Sequence, residues 1–252
     1  MALVVNTNIA AMTATRGLNA NTKNVLSSME KLSTGLRINH AKDDVAGLQI
    51  SEILRTQVRG LDMALRNTQD GASMLQVAEG AFETITENIQ RIRELVVQGA
   101  NDTYGSAERT AIAKEIAQRM EDITQIANTS RFNGVQLLDG SHSSFIIQIG
   151  ANGTTNDTLQ LSPALLTGTG SALGLTIGSI TVAAGGIFES SDNARAYLAT
   201  IDTALSTMFE RRSTIGALQN RMDSIINNIE ITKENISASE SRIRDLDIAS
   251  ET

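Results

Sequence analysis

The chain has 252 residues, no cysteine and no tryptophan, and a formal net charge of −7. The missing cysteines exclude disulfides, thiolate metal sites and cysteine nucleophiles, and the acidic balance argues against nucleic-acid binding, which depends on neutralising phosphates. Hydrophobic residues make up 41% and aromatics only 3%, so the apolar content is aliphatic, which suits helices packed in a thin bundle better than a thick globular core.

Residues 1–40 are rich in Asn, Thr, Ser and Ala, with sparse apolar positions at Ile9, Leu18, Val25, Met29, Leu32 and Leu36. That spacing predicts a helix from Ile9 to Leu36 with a thin stripe, marginal in water without a partner. The charge is uneven: residues 1–60 carry seven Lys/Arg against four Asp/Glu. This basic arm lacks the interleaved aromatics of a nucleic-acid binder. Met1–Ala20 has no signal-peptide pattern, and no apolar run approaches the roughly 20 residues that span a bilayer.

A polar link follows, in which Asp43 or Asp44 is the candidate N-cap of a second helix. This helix is expected from Val45 to Val97 or Gln98, ended by Gly99 and the cluster Asn101-Asp-Thr-Tyr-Gly105. At 1.5 Å per residue such a helix is roughly 80 Å long, far beyond the usual globular helix. Its seam runs through Leu61, Leu65, Ala72, Leu75, Phe82, Ile85, Ile89, Ile92 and Val96. A third helix, Ser106–Thr129, presents Ile112, Ile116, Ile123 and Ile126.

Residues 131–190 change character. Asn133-Gly134 is a strong hairpin signal, because both turn positions need positive φ. Phe145–Ile149 and Leu173–Val182 are β-branched and punctuated by glycine, predicting short strands and loops. Ser191-Asp192 is the expected cap of a last helix from Asn193 to Ile248. Its seam comprises Ile201, Leu205, Met208, Ile215, Leu218 and Met222, then Ile225, Ile229, Ile236, Ile243 and Leu246. Apolar residues repeating near every 3.5 positions must bury their stripe against another helix. The fold class expected is therefore mainly α: an elongated antiparallel rod of long coiled-coil-like helices, with a small β-hairpin and loop region at the far end.

Catalytic chemistry is not signalled. His40 and His142 stand in separate polar segments without metal-ligand spacing. Asp43-Asp44 fits a cap better than an acid/base pair, and the Gly168–Gly174 segment lacks the Lys-Ser/Thr ending of a phosphate loop. No catalytic, cofactor or metal residue is assigned. One surface cluster, Gln90-Arg-Ile-Arg-Glu-Leu95, places Arg91 and Glu94 at ion-pair spacing; it is either a solvated face or a lateral contact surface.

Met1-Ala-Leu-Val-Val-Asn-Thr-Asn8, Leu32-Ser-Thr-Gly-Leu-Arg-Ile-Asn39, Ala41-Lys-Asp-Asp-Val-Ala-Gly-Leu48, Gln90–Leu95, Arg131-Phe-Asn-Gly134 and Ser241-Arg-Ile-Arg-Asp-Leu-Asp247 together resemble bacterial flagellin. The resemblance implies a secreted subunit that polymerises with copies of itself into the extracellular flagellar filament for swimming. It further implies export through the flagellar type III apparatus, an export chaperone and assembly beneath a filament cap. No nucleic acid or membrane insertion is implied. By the same likeness residues 1–40 correspond to the N-terminal half of an inner terminal domain, 41–130 with 191–252 to a helical rod domain, and 131–190 to a short variable tip. In many members an animal innate immune receptor reads a surface that maps here onto Gln90, Arg91, Leu95 and Glu115. The family continues beyond Ser241–Asp247 with a further helix that pairs with the N-terminal one. Met1–Asn39 is accordingly expected to be a poorly packed extension, or to be ordered by neighbouring molecules. A hook–filament junction protein and a non-flagellar secreted coiled-coil adaptor are the alternatives; a protease-bearing flagellin would need His-Glu-x-x-His, and His142 stands alone.

Overall fold

The computed structural model describes residues 8–142, 144–162, 165–175, 180 and 186–251. Its elements are α1 (Ile9–Thr34), α2 (Val45–Gly99), α3 (Ser106–Thr129), β1 (Arg131–Phe132), β2 (Val135–Gln136), β3 (Phe145–Gln148), β4 (Thr158–Leu161), α4 (Ser191–Arg244) and α5 (Ile248–Glu251). The chain divides into two compact units. Residues 1–62 and 230–252 form the first, and residues 63–229 the second, with α2 and α4 contributing to both.

In the first unit, the side chain of Asn8 accepts from the Ala11 amide and starts α1. Gly35, at φ 70° in the left-handed region, ends it by donating to the Lys31 carbonyl. The helix thus stops short of Leu36, because Leu36 is taken into an isolated antiparallel bridge with Asp245. The Arg37 amide donates to the Arg244 carbonyl at 2.7 Å and the Leu246 amide to the Gly35 carbonyl at 3.0 Å. That exchange also ends α4 at Arg244, earlier than the expected Ile248, so Leu246 lies outside the helix rather than on its seam. Asp43 and Asp44 have different tasks. The Asp44 carboxylate accepts from the Gly47 amide at 2.8 Å and caps α2. Asp43 accepts from the Asn39 and His40 amides, and the His40 bond holds its pKa below the usual carboxylate value.

The second unit contains most of the core. Leu75, Phe82, Ile85, Ile89 and Ile92 of α2, Ile116, Met120 and Ile123 of α3, and Ile201, Met208, Ile215 and Met222 of α4 are buried together. Polar pairs fix the direction of α4 against α2: Arg93 with Asp202, Glu83 with Arg212, and Glu79 with Gln219. As one number rises the other falls, so the helices are antiparallel. Helix α3 lies alongside α2 through Arg91–Glu115 and Asn88–Arg119.

The hairpin reading of Asn133-Gly134 holds: β1 and β2 are joined by these two residues at φ 49° and 81°. Strand β3 pairs antiparallel with β4, from Phe145 opposite Leu161 to Gln148 opposite Thr158. Strand β4 has no clear counterpart in the sequence reading. Of the expected Leu173–Val182 strand, Ser171–Leu173 forms a 3-10 turn, and residues 176–179 and 181–185 lie outside the described residues. This region packs on the helices as part of the same unit. Leu138, Leu161, Leu166 and Phe188 are buried in the shared core. Gly71 leaves room for Ile147 beneath β3, and Gly99 leaves room for the ring of Phe188.

The long seams bury unevenly. In α4 the seam residues from Ile201 to Met222, apart from half-buried Leu218, and Ile229 are buried, whereas Ile225, Ile236 and Ile243, and Leu246 beyond its end, are half-buried. In α2, Leu61 is buried and Leu65 half-buried. Most of the buried positions lie in the second unit, where α3 and the β region join the shared core, although Leu61 of the first unit is buried and Leu65 and Ile225 of the second are half-buried. The cap of α4 also differs from expectation. The helix begins at Ser191, and the hydroxyl of Ser190 accepts from the Asn193 amide.

Candidate assembly surfaces

The first unit exposes apolar side chains that a soluble helix ordinarily buries. No residue of α1 is buried. Ala11, Leu18, Val25 and Leu32 recur at heptad spacing, with Met29 on the same side. Leu18 is 68% exposed, and Val25, Leu26 and Met29 are also exposed. The hydroxyls of Thr13, Thr15, Thr22 and Thr34 donate to carbonyls one turn back, and Glu30 pairs with His40 at 2.7 Å. Val45, Ile50 and Ile53 of α2, Ile231 of α4 and Ile248 of α5 add further exposed apolar surface in this unit. Its apolar residues that are buried, among those described, are Ile38 and Leu61.

Ionic contacts hold the same unit together. Asp62 pairs with Lys233 at 2.6 Å, and Glu52 with Arg244 at 2.6 Å. The Arg37 guanidinium donates to the Ile243 carbonyl at 2.6 Å, next to the Leu36–Asp245 bridge. Neither this bridge nor its arginine was legible beforehand; the repeated Arg-x-Arg of residues 242–244 was the available sign.

The second surface is the α2–α3 face of the second unit. Arg91 donates to Glu94 at 2.9 Å and, through two nitrogens, to Glu115 at 3.1 and 3.2 Å. Glu94 and then Glu115 raise its pKa further above the usual arginine value. Arg93 makes a 2.7 Å contact with Asp202 of α4, which raises its pKa in the same way. Arg91 and Glu115 therefore share one accessible face, and Gln90, next to Arg91 in α2, is exposed. Leu95 does not: it is 2% exposed, in the core with Ile92 and Val96. The family resemblance placed it with the surface set, and helical spacing put it beside Arg91 and Glu94. The correction arises because α3 lies over that side of α2, and an apolar side chain gains more from burial there than it would at the rim.

A polar clasp closes the loop between α2 and α3. Asp102 receives the Ser191 hydroxyl, which chiefly lowers its pKa, and pairs with Arg195 and Arg109, each at 3.5 Å. Arg195 also pairs with Asp192 at 2.7 Å. Among the described residues no group of three His, Cys, Asp or Glu side chains is arranged to hold a metal ion. No described helix is long and apolar enough to cross a membrane.

Comparison with known proteins gives a consistent result. Residues 5–143 match the bacterial flagellin N-terminal helical region and residues 198–252 the bacterial flagellin C-terminal helical region. A flagellin of Halalkalibacterium halodurans is 42% identical over 249 residues, 99% of this chain and 88% of that protein. The flagellar filament 30.7 kDa core protein of Treponema maltophilum is 39% identical over 256 residues, 99% of this chain and 88% of that protein. The crystal structure of Bacillus cereus flagellin superimposes with a TM-score of 0.54 at 28% identity, over 65% of this chain and 88% of that one.

Proposed function

We propose, from the premise that the chain belongs to the bacterial flagellin family and is a structural subunit of the extracellular flagellar filament, that the exposed apolar face of the first unit is its principal self-association surface. The observation carrying this reading is α1, a 26-residue helix without a single buried residue and with a heptad stripe facing solvent. Its apolar area is removed from water only when another helix covers it. The second unit, with its closed core, supplies the stiff body on which lateral contacts act, and its charged ridges set the register between neighbours.

Residues 1–40 serve in this reading as the N-terminal half of an inner terminal domain, 41–130 with 191–252 as the helical domain, and 131–190 as the family's variable region in reduced form. Export through the flagellar export apparatus, a chaperone and addition beneath a filament cap belong to the same proposal and rest on the family. The role is structural, not catalytic. Where an animal innate immune receptor meets this protein, Gln90, Arg91 and Glu115 form the face it reads, and Leu95 supports that face from beneath.

The test is electron microscopy of the natural full-length subunit under salting-out conditions. Long tubes are expected from the unaltered protein, and none from Leu18→Asp/Val25→Asp. Both proteins should keep the same helical content, since neither side chain is buried. Filaments from the double variant would overturn the assignment of this face.

A further inference from the structure

The described methionines fall into two groups with different chemical exposure. Met74, Met120, Met208 and Met222 are buried in the core of the second unit. Met12 and Met29 of α1 are 56% and 63% exposed, and Met63 is 51% exposed. Among the described residues no hydrogen bond reaches the sulfur of Met12 or Met29. The Met63 sulfur accepts from the Arg66 guanidinium, which draws on the lone pair a thioether uses as a nucleophile.

Position separates them further. Met29 stands one turn from Val25 and Leu26 and one turn before Leu32, within the heptad stripe of α1. Met12 follows Ile9 by one turn. Met29 lies on the apolar face assigned above to self-association, and this inference rests on that assignment; Met12, next to Ala11 in the chain, stands about 100° round the helix from that stripe.

We propose that, among the described methionines, Met12 and Met29 are the sites at which a hydroperoxide modifies this protein, and that oxidation of Met29 blocks its assembly. In the reaction a sulfur lone pair attacks one peroxide oxygen, the O–O bond breaks, and the oxygen is retained as a sulfoxide. With hydrogen peroxide the other oxygen leaves as water, so the thioether is oxidised by two electrons and the peroxide is reduced. The product replaces a flexible apolar side chain with a strongly dipolar acceptor. Within a helix–helix seam that acceptor has no donor, and burying it costs the free energy of an unmade hydrogen bond. The oxidised subunit stays folded, because the four core methionines are shielded. It fails only at the surface it offers to a neighbour. A methionine sulfoxide reductase reverses the change.

The experiment uses subunits depolymerised from filaments and treated with dilute hydrogen peroxide. Peptide mass spectrometry follows each methionine. Sulfoxide is expected first at Met12 and Met29, later at Met63, and last at the four core positions, with helical circular dichroism unchanged. Reassembly should then need a subunit concentration higher on the order of tenfold per buried sulfoxide. The Met12→Leu/Met29→Leu subunit should assemble normally and become insensitive to peroxide. Oxidation of Met12 and Met29 no faster than that of Met208 and Met222 overturns the site assignment. Peroxide-treated subunits that reassemble at the original concentration overturn the coupling to assembly. Filaments from Leu18→Asp/Val25→Asp refute the reading of function instead, which keeps the two failures distinct.

Discussion

Gly99 closes α2 where the ring of Phe188 crosses it, and replacing it with alanine tests how tightly the second unit is packed. A β-carbon built on Gly99 overlaps Cε1 and Cδ1 of Phe188, a side chain with no solvent exposure. The φ at Gly99 is not in the left-handed region, so no backbone strain enters. On helix propensity alone Gly99→Ala stabilises by up to about 1 kcal/mol. Overpacking a close-packed core costs typically about 1–3 kcal/mol. A ring enclosed on all sides cannot swing into solvent, so the second effect wins, and the net change is a loss of about 1–2 kcal/mol. For a body of this size that lowers the melting temperature by roughly 2–4 °C per kcal/mol. Urea unfolding followed by helical circular dichroism gives the magnitude, with the slope m expected to be unchanged. A second background sharpens the result. In Phe188→Leu the ring is gone, and there Gly99→Ala should be neutral or stabilising, so the two substitutions couple. Equal or greater stability of Gly99→Ala in the wild-type background would refute the packing argument.

Further outcomes follow from the same geometry. Leu95→Ala should destabilise by about 2–5 kcal/mol, the range for emptying a buried leucine site; an unchanged urea midpoint would return Leu95 to the surface. Asn133→Ala should cost about 1–2 kcal/mol, because a β-carbon without a local hydrogen-bonding group must hold φ 49°; unaltered thermal unfolding would show that the turn relaxes freely. The Asp102 carboxyl is held below its ordinary pKa by Ser191, Arg195 and Arg109. A depressed folded-state pKa contributes stability above the unfolded value near pH 4, lost as pH falls through the folded value. Asp102→Asn should therefore be less stable than the wild type at pH 7, with the gap narrowing as unfolding is repeated below about pH 4. A pH-independent gap would mean that the clasp acts through shape rather than charge.

The long helices were legible because their signals are local. Val45–Gly99 and Ser106–Thr129 appear in the sequence as sustained periodicity bounded by a capping aspartate and by glycine clusters. The Asn133-Gly134 hairpin was legible for the same reason, since two residues with positive φ specify a tight turn by themselves. Strand β4 was not, because its pairing with β3 depends on residues ten or more positions away. Nor was the Leu36–Asp245 bridge, whose two halves lie at opposite ends of the chain. Helical spacing set Arg91 beside Glu94, and the family resemblance added Gln90 and Glu115; both also admitted Leu95, whose burial depends on α3.

Periodicity states that a stripe must be buried and leaves open what buries it. The sequence by itself therefore determined the helices, their caps, the acidic cysteine-free character and the family motifs. Tertiary structure decided which part of each seam is covered. Helix α3 and the β region close the stripe from Leu75 to Val96 and from Ile201 to Met222, whereas α1 and the half-buried Ile236 and Ile243 are left with apolar surface facing water. The physical reason is that burial is a property of neighbours. A heptad reads the same in a finished core and on a face still waiting for another helix.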